Sequence, residues 1–154
     1  MRAELEERTI IEASSQFWEQ MLAMTVTPVP QAGKFCVGPG HVQAFVGLSG
    51  AWNGSIEVRL DERLAAAATA AMLMRPVEKV VLEDTLDAVR EIANMIAGVI
   101  KSSLPRPCNM TVPSSQLVDE CFCSFAQSED TMMVAFQHEA GELMVCISER
   151  ALIA

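Results

Sequence analysis

Apolar residues recur at helical spacing in three stretches of this chain and at alternate positions in most of the rest. From about Leu5 to Met24, the positions Ile10, Ile11, Ser14, Phe17, Trp18, Met21 and Leu22 mark one side of an amphipathic helix, with Trp18 as a core anchor. Pro28 and Pro30 end any helix and begin an extended segment. Lys34 to Val37 reads as a short strand, and Gly38-Pro39-Gly40 as a turn. His41 to Ser49 then alternates, setting Val42, Ala44 and Val46 against His41, Gln43 and Phe45. Gly50-Ala51-Trp52-Asn53-Gly54 turns the chain, and Ser55 to Leu60 returns with Ile56, Val58 and Leu60 on one face. Trp52 is expected to fold back over the sheet. Asp61 is a good N-cap for a helix from Glu62 to about Met74, which Arg75-Pro76 ends.

The third helical stretch, Leu82 to Lys101, has two faces of different purpose. At about 100° per residue, Leu82, Leu86, Val89, Ala93, Ile96 and Ile100 fall within a stripe roughly 80° wide that wants a core. Asp87, Glu91, Asn94 and Gly98 lie near the opposite side, flanked by Asp84 and Lys101. Stability alone does not select this second face. Glycine inside a helix costs about 1 kcal/mol against alanine, and asparagine is a poor helix former. Two carboxylates at i and i+4 repel by a few tenths of a kcal/mol. A solvated face is the ordinary use of such a stripe, but one built for that would carry Lys, Gln or Ala. Glu83 and Asp84 at the start and Lys101 at the end suit the helix dipole, and Leu104-Pro105 stops the helix.

After Pro107 the period changes to two. Asn109 to Val118 holds one or two extended pieces around Pro113-Ser114-Ser115. Cys121 to Ala126, Met132 to His138 and Leu143 to Ser148 read as strands, with hairpin turns at Ser128-Glu129-Asp130 and Glu139-Ala140-Gly141-Glu142. Helices and strands come in blocks, which predicts an α+β fold: an antiparallel sheet with long helices packed on it. The 154 residues suit a single domain, residues 1–154, with one core.

Composition narrows the partners. The net charge is −9, so nucleic acid, which needs clustered Lys and Arg, is a poor partner. A protein with a positive or metal-bearing site fits better. No apolar run is long enough to span a bilayer, and the charged start Met1 to Arg8 does not read as a secretory signal, so a cytoplasmic location away from membranes is expected. The five cysteines include no Cys-x-x-Cys pair and are expected to be reduced and mostly buried. His41 and His138 have no evident partner in the sequence.

The available chemistry is limited. No Ser or Cys sits in a nucleophile motif, and no glycine loop cradles phosphate. A metal site from Glu83, Asp87 and Glu91 would lack the Glu-x-x-His pairs of helical di-metal sites, so no metal is assigned to this chain. There remains an exposed Glu-x-x-Asn. An amide is neither acid nor base, but it can orient a water by donating and accepting hydrogen bonds at once. Side-chain amides do this in phosphoryl transfer.

These residues resemble the bacterial chemotaxis phosphatases of the CheC, CheX and FliY group, and within it the CheX type. The family motif is an Asp or Ser, then Glu-x-x-Asn, then a glycine on a long exposed helix; here Asp87, Glu91, Asn94 and Gly98 stand in that register. Glu12-Ala13 and Met21-Leu22, the Gly47-Leu48-Ser49-Gly50 to Gly54-Ser55 hairpin, and Pro113-Ser114-Ser115 are similar to further family features, so the likeness covers nearly the whole chain. The resemblance implies a phosphatase acting on the aspartyl-phosphate of a CheY-type response regulator. Asn94 would position the hydrolytic water and Glu91 would pair with the regulator's lysine. Asp87 would shape the contact, Gly98 would allow close approach, and the flanking Asp84 and Lys101 would also bind the partner. Mg²⁺ would sit on the regulator, with no cofactor on this chain. CheC-type members repeat the motif on the first helix, where this chain has Glu12-Ala13-Ser14-Ser15, so one active site is expected. CheX-like proteins are homodimers joined through their sheets. Two other readings are a module that binds a receiver without turning it over and a structural part of the flagellar switch. The presence of Asn94 speaks against the first, and the lack of an appended switch-binding domain in this sequence against the second.

Overall fold

The computed structural model describes residues 6–29, 35–124 and 130–150. Three helices, α1 (Glu7–Leu22), α2 (Glu62–Leu73) and α3 (Leu82–Lys101), accompany nine strands. The strands are β1 (Thr27–Pro28), β2 (Phe35–Val37), β3 (His41–Gly50), β4 (Gly54–Leu60), β5 (Cys108–Met110), β6 (Ser114–Val118), β7 (Phe122–Ser124), β8 (Thr131–His138) and β9 (Gly141–Glu149). The main sheet runs β1-β8-β9-β4-β3-β5, with β6 also paired to β3, and every pairing is antiparallel. The α+β expectation therefore holds. Thr111 to Pro113 interrupts the edge opposite β1 and divides it into β5 and β6.

Local chemistry sets the element ends. The Asp61 carboxylate accepts from the Arg63 amide at 3.1 Å, which makes it the expected N-cap of α2. Ala23 and Met74 close α1 and α2 in the left-handed conformation (φ 53° and 54°). Asn53 turns the β3–β4 hairpin by accepting from the Gly50 amide and donating to the Gly50 carbonyl. Trp52 folds back as expected and is only 2% exposed.

One face of the sheet carries Val42, Ala44, Val46, Ile56, Val58, Leu60, Val134, Phe136, Val145 and Ile147, all buried in a core shared with the three helices. On α1, Ile10, Ser14, Phe17, Trp18 and Leu22 are buried, but Met21 is 57% exposed, so the buried side is narrower than the periodicity suggests. α3 departs in the other direction. Thr85, Ala88, Ile92 and Ala97 are buried as well as Val89, Ala93, Ile96 and Ile100, so the buried arc is roughly 180° rather than about 80°. The reason is that α3 touches the sheet below and both α1 and α2 beside it. Leu82, at the start of α3, is 50% exposed.

The opposite face of the sheet is partly covered by a two-stranded ribbon of β2 and β7; β7 thus pairs with β2 and not in the expected hairpin with β8, and Ser128 and Glu129 of that turn lie outside the described residues. Phe35 and Val37 pack there on Met133, Ala135 and Met144. Arg59, nearly buried, lies with its guanidinium 3.6 Å from the centre of the Phe122 ring. It ion-pairs with Glu57 at 2.8 Å and contacts His41 Nε2 at 2.7 Å. Arginine can only donate, so Nε2 accepts and Nδ1 donates to the Gly38 carbonyl at 2.9 Å. His138 also has a partner, since its Nδ1 accepts from the Ala140 amide. The cysteine expectation needs correction. Cys36 and Cys123 face each other across the ribbon and are joined as a disulfide, while Cys121 is exposed; Cys108 and Cys146 are buried and half-buried free thiols. The bonded pair is separated by 87 residues, so local spacing carries no sign of it. Burial pushes the Cys146 thiol up, which keeps it protonated and a poor nucleophile.

The edge strand is tied directly to α3. Ser115 Oγ donates to the Leu86 carbonyl at 2.8 Å. Replacing Ser115 with alanine is expected to cost about 1 kcal/mol, the usual net worth of such a bond. A urea melt would show this as a lower midpoint with unchanged slope. An unmoved midpoint would mean that water replaces the hydroxyl at no cost.

Candidate functional site

α3 places the predicted stripe where a partner can reach it. Asp87, Glu91 and Gly98 are exposed and Asn94 is half-buried. These residues follow one line along the helix, roughly 16 Å from Asp87 to Gly98 at about 1.5 Å per residue. Helical packing brings the four together on one surface. The buried arc beneath them holds their backbone still. That rigidity suits a site whose side chains must be presented to another molecule in fixed register.

The members differ in how free they are. Asp87 is engaged by Arg90 on the same helix. Asp84 accepts from the Val81 amide at 3.4 Å and lies 3.9 Å from the Arg75 guanidinium. Both acids therefore have work within their own helix region. No hydrogen bond or ion pair joins the side chains of Glu91, Asn94 or Lys101 to any described residue. One carboxylate, one amide and one ammonium are thus left to an incoming group. A Cβ built on Gly98 would meet nothing within 4 Å, so the absence of a side chain there opens space on the outside and relieves no internal crowding.

Sequence reading missed Arg90. The i, i+3 spacing from Asp87 could have shown it. It also missed that Ser115 backs the stripe, which depends on the β6–β3 register.

The arrangement can bind and orient, but it holds no nucleophile. Among the described residues, no group of three or more His, Cys, Asp or Glu could hold a metal ion. A cavity of about 1330 Å³ lies elsewhere, bordered by Asp61, Arg63, His138 and Glu142, and none of the stripe residues lines it. Volume and chemistry point to different places. The stripe is the better candidate, because a side chain that acts on another protein's site must project outward. No described helix is long and apolar enough to cross a membrane.

Residues 42–137 match the family model described as chemotaxis phosphatase CheX. Solved structures share the fold. The CheX structure from Desulfovibrio desulfuricans is 24% identical over 93% of this chain and 97% of its own, with a TM-score of 0.73. CheX from Vibrio vulnificus is 21% identical over 97% of this chain and 100% of its own, with a TM-score of 0.75. The CheX–CheY–BeF3–Mg²⁺ complex from Borrelia burgdorferi is 19% identical over 94% of this chain and 97% of its own, with a TM-score of 0.67. No curated protein matches the sequence significantly.

Proposed function

The chain belongs to the CheX chemotaxis phosphatase family, and from that membership we propose that it dephosphorylates the aspartyl-phosphate of a CheY-type response regulator. The observation that carries this reading is the unpaired Glu91 and Asn94 pair on the outer line of α3. The Borrelia burgdorferi CheX, which shares the fold, has been captured with CheY, BeF3 and Mg²⁺. Mg²⁺ belongs, in this reading, to the receiver.

The chemistry needs one water and no covalent intermediate on this chain. Asn94 enters the receiver's site, where its carbonyl oxygen accepts from the water and its amide group donates to a phosphoryl oxygen. The water oxygen forms the new bond to phosphorus. The bond from phosphorus to the aspartyl oxygen breaks, and its electron pair leaves on the carboxylate. The water's proton goes to the phosphate or to solvent, since an amide cannot take it. Glu91, one turn away, pairs with the receiver's lysine and fixes the approach. Asp87, held by Arg90, shapes the rim, and Gly98 lets the partner's backbone come close. We place the reaction in the cytoplasm, in a homodimer joined through its sheets, as the family resemblance implies.

The test is the decay of acyl phosphate on purified receivers in Mg²⁺ buffer, with this chain present at catalytic amounts. Accelerated decay supports the reading, whereas binding without acceleration would make the chain a recognition module. Glu91→Gln keeps the shape and removes the charge. It is expected to lower kcat/KM by about thirtyfold, equivalent to about 2 kcal/mol for a lost charge-assisted contact. An unchanged kcat/KM would remove Glu91 from the interface.

A further inference from the structure

The exposed line of α3 does not end at Gly98. Lys101 continues it, about 20° from Asn94 around the helix and roughly 10 Å further along the axis. Beside it lies a cavity of about 720 Å³ bordered by Gly98, Lys101, Ser102, Arg106 and Asn109. Gly98 leaves its entrance open, with nothing within 4 Å of where a Cβ would stand.

The lining is rich in donors. An ammonium, a guanidinium and an amide border it, the Ser102 hydroxyl already donates to the Val99 carbonyl, and no carboxylate lines the cavity. Neither Lys101 nor Arg106 forms an ion pair with a described residue. In a chain of net charge −9, Lys101 and Arg106 border one opening that no carboxylate lines. The bland account is that Lys101 only complements the dipole of the last helical turn. That does not explain Arg106, which lies beyond the helix on a segment held by the sheet. The Ala51 amide donates to the Pro107 carbonyl at 2.8 Å, and Cys108 pairs with Gly50. A Cβ on Gly50 would stand 2.3 Å from that carbonyl oxygen, so the two strands are in close contact and the Arg106 segment has little room to move.

We propose that this cavity receives an acidic side chain from the receiver's surface, roughly 10 Å from the phosphoryl group that Asn94 addresses. The inference rests on the phosphatase reading and adds to it a second contact, which selects the partner. Two cations with no carboxylate beside them call for an anion, and the guanidinium fork donates two parallel hydrogen bonds to a carboxylate. The charges of the interface then alternate: Glu91 meets a cation, and the Lys101–Arg106 opening meets an anion. Such a pattern fixes orientation and rejects receivers of the wrong charge.

The experiment measures both binding and turnover of a receiver whose acyl phosphate is formed chemically or mimicked with beryllofluoride. Wild type, Asn94→Ala and the double variant Lys101→Gln/Arg106→Gln are compared across a range of NaCl. The double variant should bind the mimic about tenfold more weakly at low salt and show a flatter salt dependence, with kcat at saturating receiver unchanged. Asn94→Ala should do the reverse, losing turnover and keeping affinity. Lys101→Arg should retain binding. If wild type turns over receiver and the double variant binds with the same affinity and salt slope, this proposal fails alone. A loss of kcat at saturation in the double variant also overturns it. If wild type neither binds nor dephosphorylates any receiver, the phosphatase reading fails first and this inference falls with it.

Discussion

Replacing Asn94 with alanine is expected to reduce receiver dephosphorylation by roughly 10²–10³-fold, about 3–4 kcal/mol of barrier, the usual cost of removing one preorganised polar group from a reacting centre. The effect should fall on kcat, because the amide meets the water only in the reacting complex, while affinity comes from the rest of the α3 surface. Folding offers no alternative explanation. Asn94 is half-buried and bonded to no described residue, and alanine is the better helix former by several tenths of a kcal/mol. The variant should therefore melt no lower than wild type. Asn94→Gln supplies a finer test. It keeps the amide but moves it by one methylene, and a displacement of about 1 Å can cost roughly 10²-fold. Stopped-flow decay of acyl phosphate, with a parallel affinity measurement, separates the cases. Full activity in Asn94→Ala would end the assignment of Asn94 as the group that orients water.

The second large effect is on stability. Trp52→Ala should cost about 3–5 kcal/mol, as expected for emptying a large aromatic site in a core. The indole is 2% exposed, although it stands in the turn of the β3–β4 hairpin. Its seat depends on Gly54, where a Cβ would lie 2.6 Å from two ring atoms and 2.1 Å from the Ser148 carbonyl oxygen. Glycine there is required by close approach of ring and backbone. Gly54→Ala should itself destabilise by about 1–3 kcal/mol through overpacking. Against a total stability of about 5–15 kcal/mol for a natural domain, the Trp52 variant should melt roughly 10 °C lower. Calorimetry and urea unfolding both read this out. A change below about 1 kcal/mol would show that the indole lies over the sheet without supporting it.

Both variants act on features that the pattern of residues already shows. The stripe of Asp87, Glu91, Asn94 and Gly98 was legible because a helix turns by a fixed angle per residue, so spacing alone puts the four on one line. The same regularity set the bounds of α3, and Asp61 marked the start of α2 by its capping chemistry. The character of each stripe member was less legible. Asp87 shares its charge with Arg90 and Asp84 with Arg75, while Glu91 and Asn94 stay free. Arg106 and Asn109 could not be joined to the stripe from the sequence, because they follow the helix in a segment whose path depends on pairing with β3.

What the sequence determined by itself is therefore what depends on neighbours a few residues apart: three helices, the β3–β4 and β8–β9 hairpins, the N-cap at Asp61, and the polar line on α3. The tertiary structure decided everything that needs residues far apart to meet. It widened the buried arc of α3 by packing α1 and α2 against its sides, and left Met21 and Leu82 exposed. It set the strand order β1-β8-β9-β4-β3-β5 and, through that register, brought Arg59 to His41 and Phe122 and Cys36 to Cys123. Periodicity says which face of an element is apolar. How much of that face is covered, and by what, depends on which elements lie beside it, and in an antiparallel sheet those are set by pairings across the whole chain.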